Sequence, residues 1–171
     1  PSPTGTPLPT ATSPFPIHTA TPDQGGRPDY AEPNFNFATA YRIVPGDRLT
    51  GLNFNSGTYG QQDNDFFVMA VRAGVSYTCR TEDLGPGVDT NLIVYHSASF
   101  DDLVGGSDDE DTQAGKINSL LIFTARAEGD VYVLVGYKYP ETEDLRFPGA
   151  ATYTLACAAS SPTPTPLPAP G

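Results

Sequence analysis

The chain has 171 residues and a formal net charge of −11, because 20 acidic residues outnumber 9 basic ones. Nucleic acids and anionic membrane surfaces need a basic face on their partner, so this balance argues against both as partners. No stretch approaches the roughly 20 consecutive apolar residues of a membrane span, so we expect no membrane insertion. The length favours one domain, and the acidic balance is compatible with divalent cations.

Both ends of the chain are rich in Pro, Thr and Ser and show no hydrophobic periodicity. Residues 1–28 read PSPTGTPLPTATSPFPIHTATPDQGGRP, and residues 160–171 read SSPTPTPLPAPG. Such segments bury too little apolar surface to offset chain entropy, so we expect extended linkers around a folded domain at 29–159. Linkers of this composition are typical of secreted proteins and are often O-glycosylated, although bare spacers would have the same composition. We therefore expect an extracellular or cell-surface protein.

Between the linkers, short apolar runs rich in β-branched and aromatic residues are separated by Gly, Pro, Asp and Asn. Alternation with a period of two, as in VYVLVGY, predicts strands, and no long window has a helical period. About eight strands at this spacing predict an all-β fold, an antiparallel β-sandwich of jelly-roll type. The predicted strands are 41–44, 48–54, 66–72, 75–81, 91–96, 119–124, 131–137 and 152–157.

The two cysteines lie at matching points of two predicted strands. Cys79 ends the run VSYTC, and Cys157 ends the run TYTLAC. Two buried free thiols are one interpretation, since free cysteines are often buried. We favour a disulfide, because the linkers are typical of secreted proteins and disulfides persist in oxidising compartments.

The run DNDFFVMAV at 63–71 sets two carboxylates, Asp63 and Asp65, at the start of an apolar strand. Residues i and i+2 of a strand share a face, so the two carboxylates repel each other and need compensation. The nearest basic residues in sequence are Arg48 and Arg72. A hard divalent cation would offset the repulsion, and Ca²⁺ accepts several oxygen ligands. In the alternative, the aspartates begin the strand and face water.

The segment DDLVGGSDDED at 101–111 is acidic and contains no Lys or Arg. A solvated loop is one interpretation, which holds for most charge runs. Oxygen ligands clustered on a loop also suit a hard cation, although Gly115 comes one position too late for an EF-hand. A second, weaker metal candidate is therefore the group Asp108, Asp109 and Asp111.

Signatures of catalysis are missing from the sequence. His96 is the single histidine of 29–159, and Ser107 lacks the G-x-S-x-G context of an activated serine. The sequence has no H-E-x-x-H, no C-x-x-C and no Gly-rich phosphate loop. A carboxylate pair could act on a glycosidic bond, but the chain has no Trp to offer a sugar platform. We therefore expect no enzyme and no catalytic residues.

The order and spacing of these motifs resemble the bacterial pre-peptidase C-terminal domain. The resemblance covers about residues 29–158 and rests on motifs that are individually weak but occur in the family's order. They are E-P-N at 32–34, D-N-D-F-F at 63–67, A-G at 73–74, D-T-N-L at 89–92, D-D at 108–109, S-L-L-I-F at 119–123, G-D-V-Y-V-L-V at 129–135 and Y-T-L at 153–155.

The resemblance implies a secreted β-sandwich that is appended to an enzyme or surface protein and has no catalysis of its own. Relatives in clostridial collagenases bind calcium near the E-P-N segment and the D-x-D strand, which implies Ca²⁺ at Glu32, Asn34, Asp63 and Asp65. We expect a calcium-stabilised module for attachment or for recognition of an extracellular protein or glycan. The alternatives are a structural subunit of a filament or surface layer, assembled from copies of this chain, and an accessory domain of a secreted hydrolase.

Overall fold

The computed structural model describes residues 28–54, 64–138 and 151–160. They form an all-β sandwich of a five-stranded and a four-stranded sheet, which confirms the predicted fold class. The strands are β1 (Tyr41–Ile43), β2 (Arg48–Asn53), β3 (Asn64–Val71), β4 (Ser76–Glu82), β5 (Thr90–Tyr95), β6 (Leu103–Ser107), β7 (Leu120–Thr124), β8 (Gly129–Tyr137) and β9 (Thr152–Ala159).

Helical structure in the described part of the chain is limited to one 3₁₀ turn, Phe37–Thr39, which begins where the Asn36 side chain accepts hydrogen bonds from Ala38 N and Thr39 N. No helix in these ranges has the length and apolar character needed to cross a membrane. The predicted linkers 1–28 and 160–171 lie outside the described residues, except for Pro28 and Ser160.

The strand β6 was not predicted, since it lies within the acidic segment that was interpreted as a loop. Its sequence, LVGGS, contains two adjacent glycines, which weaken a strand and hide its alternation. In the structure it pairs antiparallel with β5, with Gly106 opposite Ile93 and Ser107 opposite Leu92. Pairing with a neighbouring strand therefore overrides the weak local preference.

The strand order is β1-β3-β8-β5-β6 in one sheet and β2-β9-β4-β7 in the other. All pairs are antiparallel except β1 with β3, which run parallel. The pairing of β2 with β9 brings the first part of the described chain next to its end. Residues of β2 and β9, which are far apart in sequence, are therefore neighbours in the four-stranded sheet.

The core lies between the two sheets and is built from alternate residues of the central strands. In β8, Val131, Val133 and Val135 are buried in it, while Leu134 belongs to a separate cluster on the outer face of the sheet. A fully buried Tyr153 stacks on Phe54 with 4.7 Å between ring centroids. Both faces of β8 are thus covered, as its uninterrupted apolar sequence predicts.

The predicted disulfide is confirmed. Cys79 of β4 and Cys157 of β9 lie directly opposite each other in the four-stranded sheet and are bonded, with 4.1 Å between their Cα atoms. Both side chains face the core, with 0% and 1% exposure. The bond therefore joins the two central strands of this sheet across a sequence separation of 78 residues.

We expect the double substitution Cys79→Ala/Cys157→Ala to destabilise the protein strongly. Opening a loop of this length restores unfolded-chain entropy worth ~4–5 kcal/mol on the chain-entropy model. Equilibrium urea unfolding of the variant and the wild type measures the difference, with reduced and alkylated wild type as the control. Equal urea midpoints for oxidised and reduced wild type would contradict a stabilising role.

Candidate metal centre

The segment before β1 is fixed to the sandwich by the carboxylate of Asp29. Its Oδ1 accepts a hydrogen bond from Ala31 N at 2.8 Å, and its Oδ2 accepts one from Asn53 N at the end of β2 at 2.7 Å. Burial raises the pKa of the Asp29 carboxyl, although these backbone donors oppose the shift. The anchor places the E-P-N motif at 32–34 against the edge of the core.

Asp65 is the carboxylate of β3 that points into the sandwich. It alternates with the core residues Phe67 and Met69 and has 0% exposure. The hydroxyl of Tyr153, from β9 of the opposite sheet, donates a hydrogen bond to Asp65 Oδ2. The alternative in which the aspartates face water is therefore wrong for Asp65, because a carboxylate in this position depends on donors from the protein.

The fully buried Asn34 brings the N-terminal segment to Asp65. Its backbone oxygen accepts a hydrogen bond from Phe66 N at 2.7 Å. One end of its side-chain amide lies 3.2 Å from Glu32 Oε1, 3.1 Å from Glu32 Oε2 and 3.1 Å from Asp65 Oδ1. Glu32 Oε2 also accepts a hydrogen bond from Asn34 N at 2.9 Å. The site is thus an amide facing three carboxylate oxygens from two residues.

The Asn34 amide can take two orientations in this cluster, and the orientation with its nitrogen toward the carboxylates is the one that satisfies both ends of the amide by hydrogen bonds alone. With its nitrogen toward the carboxylates, the Asn34 amide donates hydrogen bonds to them and no metal is needed. With its oxygen toward them, four oxygen atoms converge, and a hard cation must offset their repulsion. The residues present fit the second arrangement, because carboxylate and amide oxygens are the ligands that Ca²⁺ takes in proteins.

The structure brings together Glu32, Asn34 and Asp65 of the four predicted ligands, whereas Asp63 lies outside the described residues. Sequence reasoning missed Tyr153 as the partner of Asp65. The alternation of TYTLAC places Tyr153 and Cys157 on one face. However, no sequence signal pairs this tyrosine with a carboxylate 88 residues away.

A second acidic cluster lies where β5 begins and β6 ends. Carboxylate oxygens of Asp89, Asp108 and Asp109 lie within 4.8 Å of one another. Asp111, which was predicted with this group, instead caps a turn, where its Oδ1 accepts hydrogen bonds from Gln113 N and Ala114 N at 3.1 Å. The third member of the cluster is therefore Asp89, whereas the sequence suggested Asp111.

Lys138, directly after β8, supplies positive charge to this second cluster. Its Nζ lies 2.7 Å from Asp108 Oδ2 and 3.6 Å from Asp89 Oδ2. Burial raises the pKa of the Asp89 carboxyl; Lys138 opposes the shift, and the neighbouring carboxylates of Asp109 and Asp108 add to it. The segment 101–111 has no basic residue of its own, but the fold brings Lys138 to it.

No family model matches this chain, and no curated protein matches it. Among solved structures, it is similar to the pre-peptidase C-terminal domain of a collagenase from Bacillus anthracis, with 17% identity and a TM-score of 0.48 over 68% of this chain and 91% of that one. It is also similar to PliG, a periplasmic inhibitor of g-type lysozyme from Aeromonas hydrophila, with 14% identity and a TM-score of 0.44 over 70% of this chain and 96% of that one. The first is a domain of the type that the sequence motifs resemble.

We expect Tyr153→Phe to destabilise the protein, because it removes a donor from a fully buried carboxylate. Loss of a hydrogen bond to such a group costs about 1–3 kcal/mol. The control is Tyr41→Phe, because Tyr41 is half-buried and its hydroxyl has no hydrogen bond within the described ranges, so its loss should cost less than about 0.5 kcal/mol. Urea unfolding of both variants measures the two costs, and equal values would contradict the role given to Tyr153.

We expect Lys138→Gln to lower the melting temperature at pH 7, because the carboxylates of Asp89, Asp108 and Asp109 then repel without compensation. Lys138 opposes the raised pKa of Asp89, so the substitution raises that pKa further. A carboxyl with a raised folded-state pKa favours the native state most when it is protonated. The deficit should therefore shrink as the pH falls toward ~4.

The matched control for this experiment is Lys116→Gln. The two lysine side chains have similar exposure, 53% for Lys116 and 47% for Lys138, but Lys116 pairs with the single carboxylate of Glu110. Melting curves between pH 4 and 8 should show a smaller, flatter effect for the control. A Lys138→Gln deficit that does not change with pH would contradict the repulsion argument.

Proposed function

We propose that this chain is a non-catalytic extracellular β-sandwich module, stabilised by Ca²⁺ at Glu32, Asn34 and Asp65, that serves attachment or the recognition of an extracellular protein or glycan. The buried disulfide supports the extracellular location, because such bonds persist in oxidising compartments. Asp63, two residues before Asp65, is a further ligand in this proposal.

The observation that carries the proposal is the Asn34 amide facing three carboxylate oxygens inside a buried site. When bound there, Ca²⁺ would neutralise Glu32 and Asp65 together. Glu32 belongs to the N-terminal segment and Asp65 to β3, so the ion would add a cross-link between them. Calcium bound to the native state alone stabilises it by mass action.

The contacts of the same carboxylates support a non-catalytic role. Asp65 is fully buried and accepts a hydrogen bond from Tyr153, and Glu32 accepts one from Asn34 N. A general base must reach a substrate proton at hydrogen-bond distance. A carboxylate enclosed between two sheets cannot do so, and the site is therefore suited to stability.

We expect calcium to raise the melting temperature of the wild-type protein relative to a chelator. At ~10 mM Ca²⁺, the ~10⁻³–10⁻⁴ M affinities of extracellular modules correspond to about 1.4–2.7 kcal/mol of added stability. Asp65→Asn should abolish the calcium shift, whereas Asp89→Asn, in the second acidic cluster, should retain it. A wild-type melting temperature that does not respond to calcium would sink the proposal.

The substitution Asn34→Asp separates the two arrangements of the site. It removes the amide donor and adds a carboxylate, so the variant should melt below the wild type in chelator. If a cation occupies the cluster, the added negative charge should strengthen calcium binding and give a larger calcium shift than in the wild type. A variant that is destabilised equally with and without calcium would assign the amide a purely hydrogen-bonding role.

A further inference from the structure

The outer face of the five-stranded sheet carries an apolar cluster separate from the core. Phe37, in the 3₁₀ turn, packs at its centre against four rings at centroid distances of 4.8–5.5 Å. We call this set the aromatic patch; its members are Phe37, Phe66, Tyr95, Phe100 and Tyr132.

The aromatic patch meets solvent mainly through Phe100, because Phe66 and Tyr95 are buried. Phe100, in the connection between β5 and β6, is 63% exposed, and Leu103, opposite Tyr95 in β6, is 53% exposed. Next to them β6 has Gly106 opposite Ile93, so the face has no side chain at that point. Neighbouring exposed apolar groups of this kind are typical of an interaction surface.

The ring geometry favours one kind of ligand. Phe37 meets Phe66, Tyr95 and Tyr132 edge to face, with interplanar angles of 72°, 89° and 87°. The centroid distances of 4.8–5.5 Å put these rings in van der Waals contact with one another, so a ligand would meet the exposed ring of Phe100 and not a flat platform of several rings. Proline-rich segments bind to aromatic side chains in an extended conformation whose backbone carbonyls are unpaired.

The tyrosines of the patch offer donors for those carbonyls. Within the described ranges, neither the Tyr95 nor the Tyr132 hydroxyl makes a hydrogen bond. In grooves that bind proline-rich segments, specificity comes from rings that receive the prolines and from groups that pair with the carbonyls. The patch contains both.

The chain itself contains a segment of this chemistry that is long enough to reach the patch. Residues 1–27 precede the described part, which starts beside β1, where Tyr30 packs on Tyr41. Twenty-seven residues at ~3.1 Å each span about 80 Å, and a five-stranded sheet is only about 20 Å wide, so the segment can reach across it.

Charge and composition agree with this assignment. The first part of the segment, PSPTGTPLPTATSPFPI at 1–17, has no charged side chain, so the chain's net charge of −11 does not repel it. The C-terminal repeat of T-P-L-P, at 165–168, follows β9 in the opposite sheet. The N-terminal copy, at 6–9, belongs to the segment that precedes Phe37 of the patch in sequence.

We propose that the aromatic patch is a docking site for the proline-rich N-terminal segment 1–27 of the same molecule. The segment lies across the outer face of the five-stranded sheet, with prolines against the exposed side chains of Phe100 and Leu103 and carbonyls accepting from Tyr95 and Tyr132. Tethering makes the contact intramolecular, so a weak individual affinity suffices to keep the patch covered.

Paramagnetic relaxation in the full-length chain tests this docking. A nitroxide label on Ser13→Cys, with the native disulfide intact, should broaden the amide signals of Ile93, Tyr132 and Leu134 several-fold more than those of β7 in the other sheet. The broadening should not depend on protein concentration, because the contact is intramolecular.

Matched variants identify the contact. Phe100→Ser should remove the selective broadening, whereas Ile122→Ser should leave it unchanged, and both residues are 63% exposed in the wild type. Replacing Pro7, Pro9, Pro14 and Pro16 with serine should remove it without altering the domain. Uniform broadening of both sheets would overturn the proposal. Broadening that appears only when labelled and unlabelled molecules are mixed would overturn it too, since the occupant would then be a second copy.

Discussion

Asp65 has no solvent exposure, and a buried carboxylate costs several kcal/mol unless donors or an opposite charge compensate it. The hydroxyl that compensates it comes from Tyr153 of the opposite sheet, and the amide beside it comes from Asn34. Each partner belongs to a different stretch of the chain. Satisfying this one carboxylate therefore holds β3 against β9 and draws the N-terminal segment onto the edge of the core.

The same strand contributes to both sites that we propose. In β3, Asp65 and Phe67 point into the sandwich, while Phe66 points outward to the aromatic patch. The register with β8 fixes this division, with Asp65 opposite Val135 and Phe66 opposite Leu134. A slip by one residue would expose the carboxylate and bury the ring. The register of β3 is therefore strongly specified, because side chains on both of its faces pack against other parts of the protein.

Alternation and turn residues were sufficient to predict eight of the nine strands, because a buried face imposes a period of two on the sequence. Alternation did not reveal β6, because its two glycines have no side chains that could show an apolar and polar alternation. The grouping of Glu32, Asn34 and Asp65 followed from the resemblance to a known domain. Tyr153 and Lys138 could not be predicted, because their roles depend on strand pairing between residues far apart in the chain. The presence of Asp89 in the second acidic cluster, in place of Asp111, could not be predicted for the same reason.

The proposed calcium site and the proposed docking site share one short stretch of chain. Residues 28–36 carry the anchor Asp29 and the proposed ligands Glu32 and Asn34, and Phe37 of the aromatic patch follows at once. If calcium orders this stretch and docking needs it ordered, the two equilibria are coupled, and each must strengthen the other by the same factor. Calcium would then govern access to the aromatic patch without touching it.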